Sequence, residues 1–213
     1  IDKTHPAFAG ALVDEYDFAY DDNDASDDDG HGTHVSGIVL SRDATYRGVA
    51  PGASLAAGKV LDANGSGADS DIIAAIDWCT LDVGAHVINM SLGGAGHMGS
   101  CDYDALAASV NASVDQGVVH AIATGNAAYS NQVESPGCAR RALAIGAVYD
   151  AAVGSQSWCG NASCTTTLCT DTNPQADDLV CFSNRGPRTT VVAPGAMITS
   201  TANGGGTQLS AGT

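Results

Sequence analysis

The chain has 213 residues, 44% of them hydrophobic, enough to bury a sizeable core in one domain. Its formal charge is −16, with eight Lys and Arg against 24 Asp and Glu, so it lacks the clustered cations that nucleic acid or an anionic membrane surface would require. No run of about 18 apolar residues occurs, and no membrane span is expected.

In chain order, the first unusual stretch is YDDNDASDDDG (20–30), with six Asp and one Asn. Its spacing fails the EF-hand register, but oxygen-rich clusters suit Ca²⁺, which takes six to eight oxygen ligands. Calcium held by Asp22, Asp24, Asp27 and Asp29 is one expectation, and a solvated acidic loop in an acidic protein is the other. A helical run follows in HGTHVSGIVL (31–40), with Val35, Ile38 and Val39 on one face and small residues at Ser36 and Gly37. Short apolar runs then alternate with amphipathic ones. Strands are predicted over 54–61, 86–92, 118–126, 141–148 and 189–195. Helices are predicted over 70–80, behind Ser or Asp caps, and over 103–117, closed by Gly117. Strands that are apolar throughout and separated by helices indicate an α/β fold, a three-layer α/β/α arrangement with a mostly parallel central sheet covered on both faces.

The stretch 154–181 is polar, lacks periodicity and holds four of the seven Cys, so it reads as a surface insertion stapled by disulfides. A zinc site is the rival, but the paired C-x₂₋₄-C units it usually shows are missing. Disulfides imply an oxidising compartment and a secreted protein. Seven is odd, and Cys79, on the apolar face of the helix at 70–80, is the expected free thiol. Asn111 and Asn161 begin N-x-S sequons, as does Asn89 inside a strand predicted to be buried.

The motifs GHGTHVSGI (30–38), GVAPGA (48–53), GSG (65–67), INMSLGG (88–94), ATGN (123–126), FSNRGP (182–187) and VAPG (192–195) together resemble the subtilisin-like serine proteases, in order and over essentially the whole chain. The resemblance implies that His31 is the general base and that Asn126 supplies a side-chain N–H to the oxyanion hole. It also implies that Ser91, Leu92 and Gly93 form one edge for an extended polypeptide substrate, with Gly65, Ser66 and Gly67 opposite. His34 is expected to pack structurally.

The family's aspartate lies in a D-T-G-I-D-type segment before T-H-P, and here IDKTHP begins with only its last two letters. The family's serine follows Gly-Thr in a G-T-S-M-A-type motif, and here the sequence ends on that Gly-Thr. Asp2, Asp14 and Ser210 do not align with the missing groups. The 213 residues are therefore expected to be a core truncated at both ends. Such a core would be inactive alone and self-associate through uncovered apolar surface. A non-enzymatic calcium- or peptide-binding protein and a protease completed in trans are the alternatives.

Overall fold

The computed structural model describes residues 1–160 and 163–213, and the sequon at Asn161 lies outside the described residues. Contacts divide the chain into two compact units, residues 1–85 with 199–210, and residues 86–198 with 211–213.

In the first unit, a parallel pair joins β1 (Leu12–Asp17) to β2 (Leu55–Lys59). Helix α1 (His31–Leu40) begins after Gly30, whose φ of 111° only glycine adopts without strain. Its buried face is Thr33, His34, Ser36, Gly37 and Leu40, while Ile38 is exposed. Of the expected apolar face, Val39 packs against the core of Ile1, Phe8 and Leu40, Val35 is half-buried, and only Ile38 turns to solvent. Close approach decides the matter: Ser200 Oγ donates to His34 O at 2.7 Å, and Thr201 Oγ1 to Thr33 O at 2.7 Å. A Cβ at Gly37 would collide with both hydroxyls. Ser200 and Thr201 belong to β11 (Ile198–Thr201), which turns through Gly204, Gly205 and Gly206, all at positive φ, into β12 (Thr207–Ser210). Helix α2 (Asp69–Asp77) starts at Ala68 with no side-chain cap, contrary to expectation. Asp69 and Asp71 in its first turn favour the positive end of the helix dipole instead. It runs into a π-turn (Trp78–Asp82) that contains Cys79.

The second unit is built on a parallel sheet in the order β10 (Thr189–Pro194), β7 (Leu143–Val148), β5 (Val119–Ala123), β3 (Val87–Met90). Two small antiparallel pairs accompany it: β4 (Gly96–His97) with β6 (Val133–Glu134), and β8 (Gln156–Cys159) with β9 (Thr167–Asp171). Helix α3 (Ala105–Asp115) is capped by Asp104, whose side chain accepts from Leu106 N at 2.9 Å, and is followed by Gly117 at φ 96°.

The fold is α/β with a parallel sheet, as the apolar runs predict, but the burial of its faces differs from the prediction. Register places Val87 beside Val119, Ala121 beside Leu143, and Ile145 beside Val191, all on one face. Val87, Val119, Leu143 and Val191 are each at least 40% exposed. The opposite face, with Ile88, Met90, Ile122 and Ala144, is buried. Apolar sequence on both faces thus marks one buried face and one that is exposed at Val87, Val119, Leu143 and Val191 while Ala123 and Ala147 on it are buried. Asn89 falls on the open face rather than in the core.

Three disulfides form: Cys101–Cys138, Cys159–Cys164 and Cys169–Cys181. The last two involve all four Cys of the 154–181 stretch, which rules for staples over zinc. Cys79 is the free cysteine, and burial pushes its thiol up to about 11. Among the described residues no helix is long and apolar enough to cross a membrane.

His120 on β5 is 1% exposed; its Nε2 meets Ser113 Oγ on α3 at 2.7 Å, and its Nδ1 has no partner among the described residues. Burial holds its pKa down to about 4. Below pH 6.5 the unfolded chain takes up a proton that the folded chain refuses until about pH 4. Stability should therefore fall as pH drops through that window, by up to about 3 kcal/mol. Urea melts of His120→Gln against the wild type between pH 7 and 4 should show the variant losing less stability over this range.

Candidate functional site

His31 is the first residue of α1 and is exposed. Its backbone N–H donates to Asp29 Oδ1 at 3.0 Å, and its imidazole has no hydrogen-bond partner among the described residues. The helix start is held by a carboxylate that precedes it. Asp27 Oδ1 accepts from Gly30 N at 2.7 Å, and Asp27 Oδ2 accepts from Thr33 N at 2.8 Å and from the Thr33 hydroxyl. Burial works against the ionised form of Asp27, but these donors outweigh it and lower its pKa.

The other acidic residues are similarly occupied. Asp22 Oδ1 accepts from Asp24 N at 2.8 Å, and Asp24 Oδ1 meets Lys3 Nζ at 2.6 Å and the Ser26 hydroxyl at 2.6 Å. Lys3 and Ser26 pull Asp24 down to about 2. Asp28 and the buried Asp17 share Lys59 Nζ at 2.9 and 3.0 Å. Asp22, Asp24, Asp27 and Asp29 serve four different local turns, and among the described residues no three His, Cys, Asp or Glu side chains are grouped to hold a metal. The expected calcium ligand set does not fit as a site, and no step below runs through a metal.

Gly65, Ser66 and Gly67 are exposed in a turn after β2. Asp62 organises it: its Oδ1 accepts from Asn64 N at 2.8 Å and Ser66 N at 3.0 Å. These N–H groups, that of Ser66 first, hold the Asp62 carboxyl below its ordinary range. Gly67 has no room for a Cβ against Val60 O.

In the second unit, Asn126 follows β5 and is exposed. Its Oδ1 accepts from Thr213 N at 3.0 Å and Thr213 Oγ1 at 3.1 Å, which leaves Nδ2 without an acceptor among the described residues. Beneath this loop lies Asn184, fully buried. Its Oδ1 accepts from Ala127 N at 3.0 Å and Tyr129 N at 2.9 Å. Its Nδ2 donates to Thr124 O at 3.0 Å and to Glu134 Oε1 at 2.9 Å. One amide thus fixes the turn on both sides of Asn126.

Ser91, Leu92 and Gly93 continue β3, with Asn89 Nδ2 donating to Ser91 Oγ at 3.1 Å. The adjoining Gly94 and Ala95 bond the backbone of Ser135. Glu134, next to it, is half-buried; burial raises its pKa, with the Asn184 hydrogen bond opposing. Neither Glu134 nor Asn184 stands out in sequence as a site residue. Asn184 lies inside the FSNRGP motif, but Glu134 carries no local signal.

The residues set aside in sequence stay apart. Asp2 caps a turn, accepting from Thr4 N and Gly204 N, and Ser210 on β12 makes no hydrogen bond to His31 among the described residues. His34 is buried. Asn111 has its amide engaged, donating to Asp102 Oδ1 at 2.9 Å and accepting from Arg141 N at 3.0 Å.

A parallel α/β sheet with a loop asparagine at a strand's carboxyl end, and a histidine opening a helix, agrees with what the comparisons give. The subtilase family model matches residues 1–213, and the chain belongs to that family. It is 37% identical over 207 residues to a thermophilic serine proteinase of Bacillus sp. (strain AK1), covering 96% of this chain and 44% of that protein. It is 34% identical over 220 residues to Subtilisin-like protease 3 of Arthroderma benhamiae, covering 100% of this chain and 46% of that one. Among solved structures, a cold-adapted subtilisin-like serine proteinase matches with a TM-score of 0.76 at 29% identity, over 100% of this chain and 66% of that one. Sphericase matches with a TM-score of 0.76 at 28% identity, over 99% and 68%. The chain spans under half the length of the curated relatives it matches.

Replacing Asn184 with Ala would strand the part-buried N–H groups of Ala127 and Tyr129 and the buried carbonyl of Thr124. It is expected to cost at least about 2 kcal/mol in urea unfolding, against about zero for a surface Asn such as Asn64.

Proposed function

We propose that this chain is the larger part of the catalytic core of a secreted serine endopeptidase that cleaves extended polypeptides, with His31 as general base and Asn126 as oxyanion donor. The observation that carries the reading is Asn126, whose carbonyl is tied to Thr213 while its N–H bonds stay free for an incoming oxyanion. Donors aimed at charge that develops in the transition state act without reorganising, which makes them large contributors to rate. Exposed His31 is free to take the proton of a serine hydroxyl and return it to the leaving amine. The edges at Gly65–Gly67 and Ser91–Gly93 would pair with substrate main chain, which selects unfolded polypeptide. Three disulfides support an oxidising, extracellular destination.

The serine nucleophile and the aspartate that orients the histidine are assigned to segments outside these 213 residues. Without them an imidazole has no hydroxyl to deprotonate and nothing to fix its tautomer. The chain alone should neither bind a fluorophosphonate probe covalently nor digest casein, whereas the full-length protein should do both. In the full-length protein, His31→Ala should lower kcat by about 10⁶ and Asn126→Ala by about 10²–10³, magnitudes carried over from measurements on subtilisin itself. Labelling of the chain alone would overturn the assignment.

The open face of the parallel sheet makes the isolated chain self-associate, because Val87, Val119, Leu143 and Val191 form one contiguous apolar strip. Light scattering at high dilution should find species larger than a monomer; a monodisperse monomer would refute this.

A further inference from the structure

The insertion at 154–181 ends on Cys181, and the next three residues hold the loop of Asn126. Three successive amides follow Asn126 in that loop. Ala127 N and Tyr129 N donate to Asn184 Oδ1 at 3.0 and 2.9 Å, and Ala128 N donates to Phe182 O at 2.8 Å. Ala128 has a φ of 58°, in the left-handed region that a residue with a Cβ enters only under constraint. The strap at 182–184 imposes that constraint.

The insertion fixes the start of the strap twice. Cys181 is bonded to Cys169 on β9, and its N–H donates at 3.0 Å to Oδ2 of Asp171, two residues further along the same strand. That oxygen also accepts from the Tyr149 hydroxyl at 2.7 Å and from Trp158 Nε1 at 3.2 Å. Donors from just past β7, from β8 and from the head of the strap thus converge on one carboxylate oxygen. Tyr149 is buried; burial first, and the bond to Asp171 next, push its hydroxyl up to about 12, so it stays a donor at any lower pH. Trp158 carries the connection onward. Its ring meets that of Phe182 edge-on, with centroids 4.8 Å apart and planes at 89°, and both rings line one cavity with Asn126. A carboxylate offers only acceptor sites, and its charge makes each bond roughly twice as strong as a neutral one.

We propose that Asp171 is a positioning residue for peptide hydrolysis, setting the place of the Asn126 side chain through the strap. This rests on the reading of Asn126 as oxyanion donor. Without Asp171, Cys181 and Trp158 lose their shared anchor, the strap can shift, and the left-handed turn at Ala128 can relax. A donor works only when it is aimed at the position where charge develops, so a small displacement costs rate. The substrate edge at 91–93 is held by other bonds, so the loss falls on kcat rather than on KM. The Cys169–Cys181 bond keeps the strap attached when Asp171 is changed, which separates loss of aim from loss of folding.

The test is a double-mutant cycle in the full-length enzyme, with a chromogenic peptide amide as substrate. Fluorophosphonate titration counts the active sites of each variant, so misfolded material is excluded. Asp171→Asn should lower kcat per titrated site at least about tenfold and leave KM within about twofold, a part of the roughly 10²–10³ known from subtilisin itself for losing an oxyanion donor. In the Asn126→Ala background, with no donor left to aim, the same substitution should change kcat by less than about twofold. A merely structural role would lower kcat by the same factor in both backgrounds. If Asp171→Asn leaves no titratable sites, Tyr149→Phe, which removes one donor to Asp171 and keeps the ring, is read in the same cycle, with a loss of at least about threefold expected. Unchanged kcat in the variant read, or an equal loss in both backgrounds, overturns the proposal and leaves the protease reading intact. An Asn126→Ala enzyme as fast as the wild type overturns the reading on which it rests.

Discussion

The second unit depends on one buried amide. Asn184 has no access to water, so each of its hydrogen-bonding positions has to be satisfied by protein, and the groups that satisfy them are the loop on either side of Asn126 and the carboxylate of Glu134. A loop at the end of a parallel strand has few ladder bonds of its own. Here the missing bonds come from a side chain 57 positions away from Ala127 in sequence, and they fix the loop that carries Asn126. Anchoring by a neutral amide also avoids placing a second charge beside Glu134.

The first unit solves a related problem with charge. A helix beginning at an exposed histidine has unpaired N–H groups at its start, and no side chain at Gly30 to meet them. Asp27 meets them from three residues earlier, and Asp29 takes the N–H of His31 itself. The surrounding carboxylates are balanced by Lys3 and Lys59, the latter also lying 4.5 Å from the Tyr20 ring centroid. A region rich in carboxylates by composition is organised as a set of turns and a helix cap written in Asp.

That contrast explains what sequence could and could not convey. The apolar runs located β2, β3, β5, β7 and β10 to within a few residues, because burial in a parallel sheet forces uninterrupted apolar chain. β1, reading LVDEYD, and the hairpin of β11 and β12, reading ITST and TQLS, are too polar to register as strands. The docking face of α1 is shifted from the expected one for a steric reason: close approach at Gly37 turns Thr33, Ser36 and Gly37 inward and leaves Ile38 in solvent. His31 and Asn126 are legible as candidates from short motifs. Glu134 was not, since a lone carboxylate acquires its setting only when Gly93 and Gly125, 41 and nine residues earlier, are brought beside it. Composition counts the oxygens of Asp22, Asp24, Asp27 and Asp29 without saying which N–H groups claim them.

The clasp between α1 and β11 has a kinetic side. Ser200 and Thr201 reach back 166 and 168 residues to carbonyls of His34 and Thr33. Contacts that distant in sequence close late, since the loop between them must first be ordered. During synthesis from the amino end, the helix that opens with His31 emerges long before the hydroxyls that seat it. The helix is thus made well before its seat, and its final placement waits on the hydroxyls of β11.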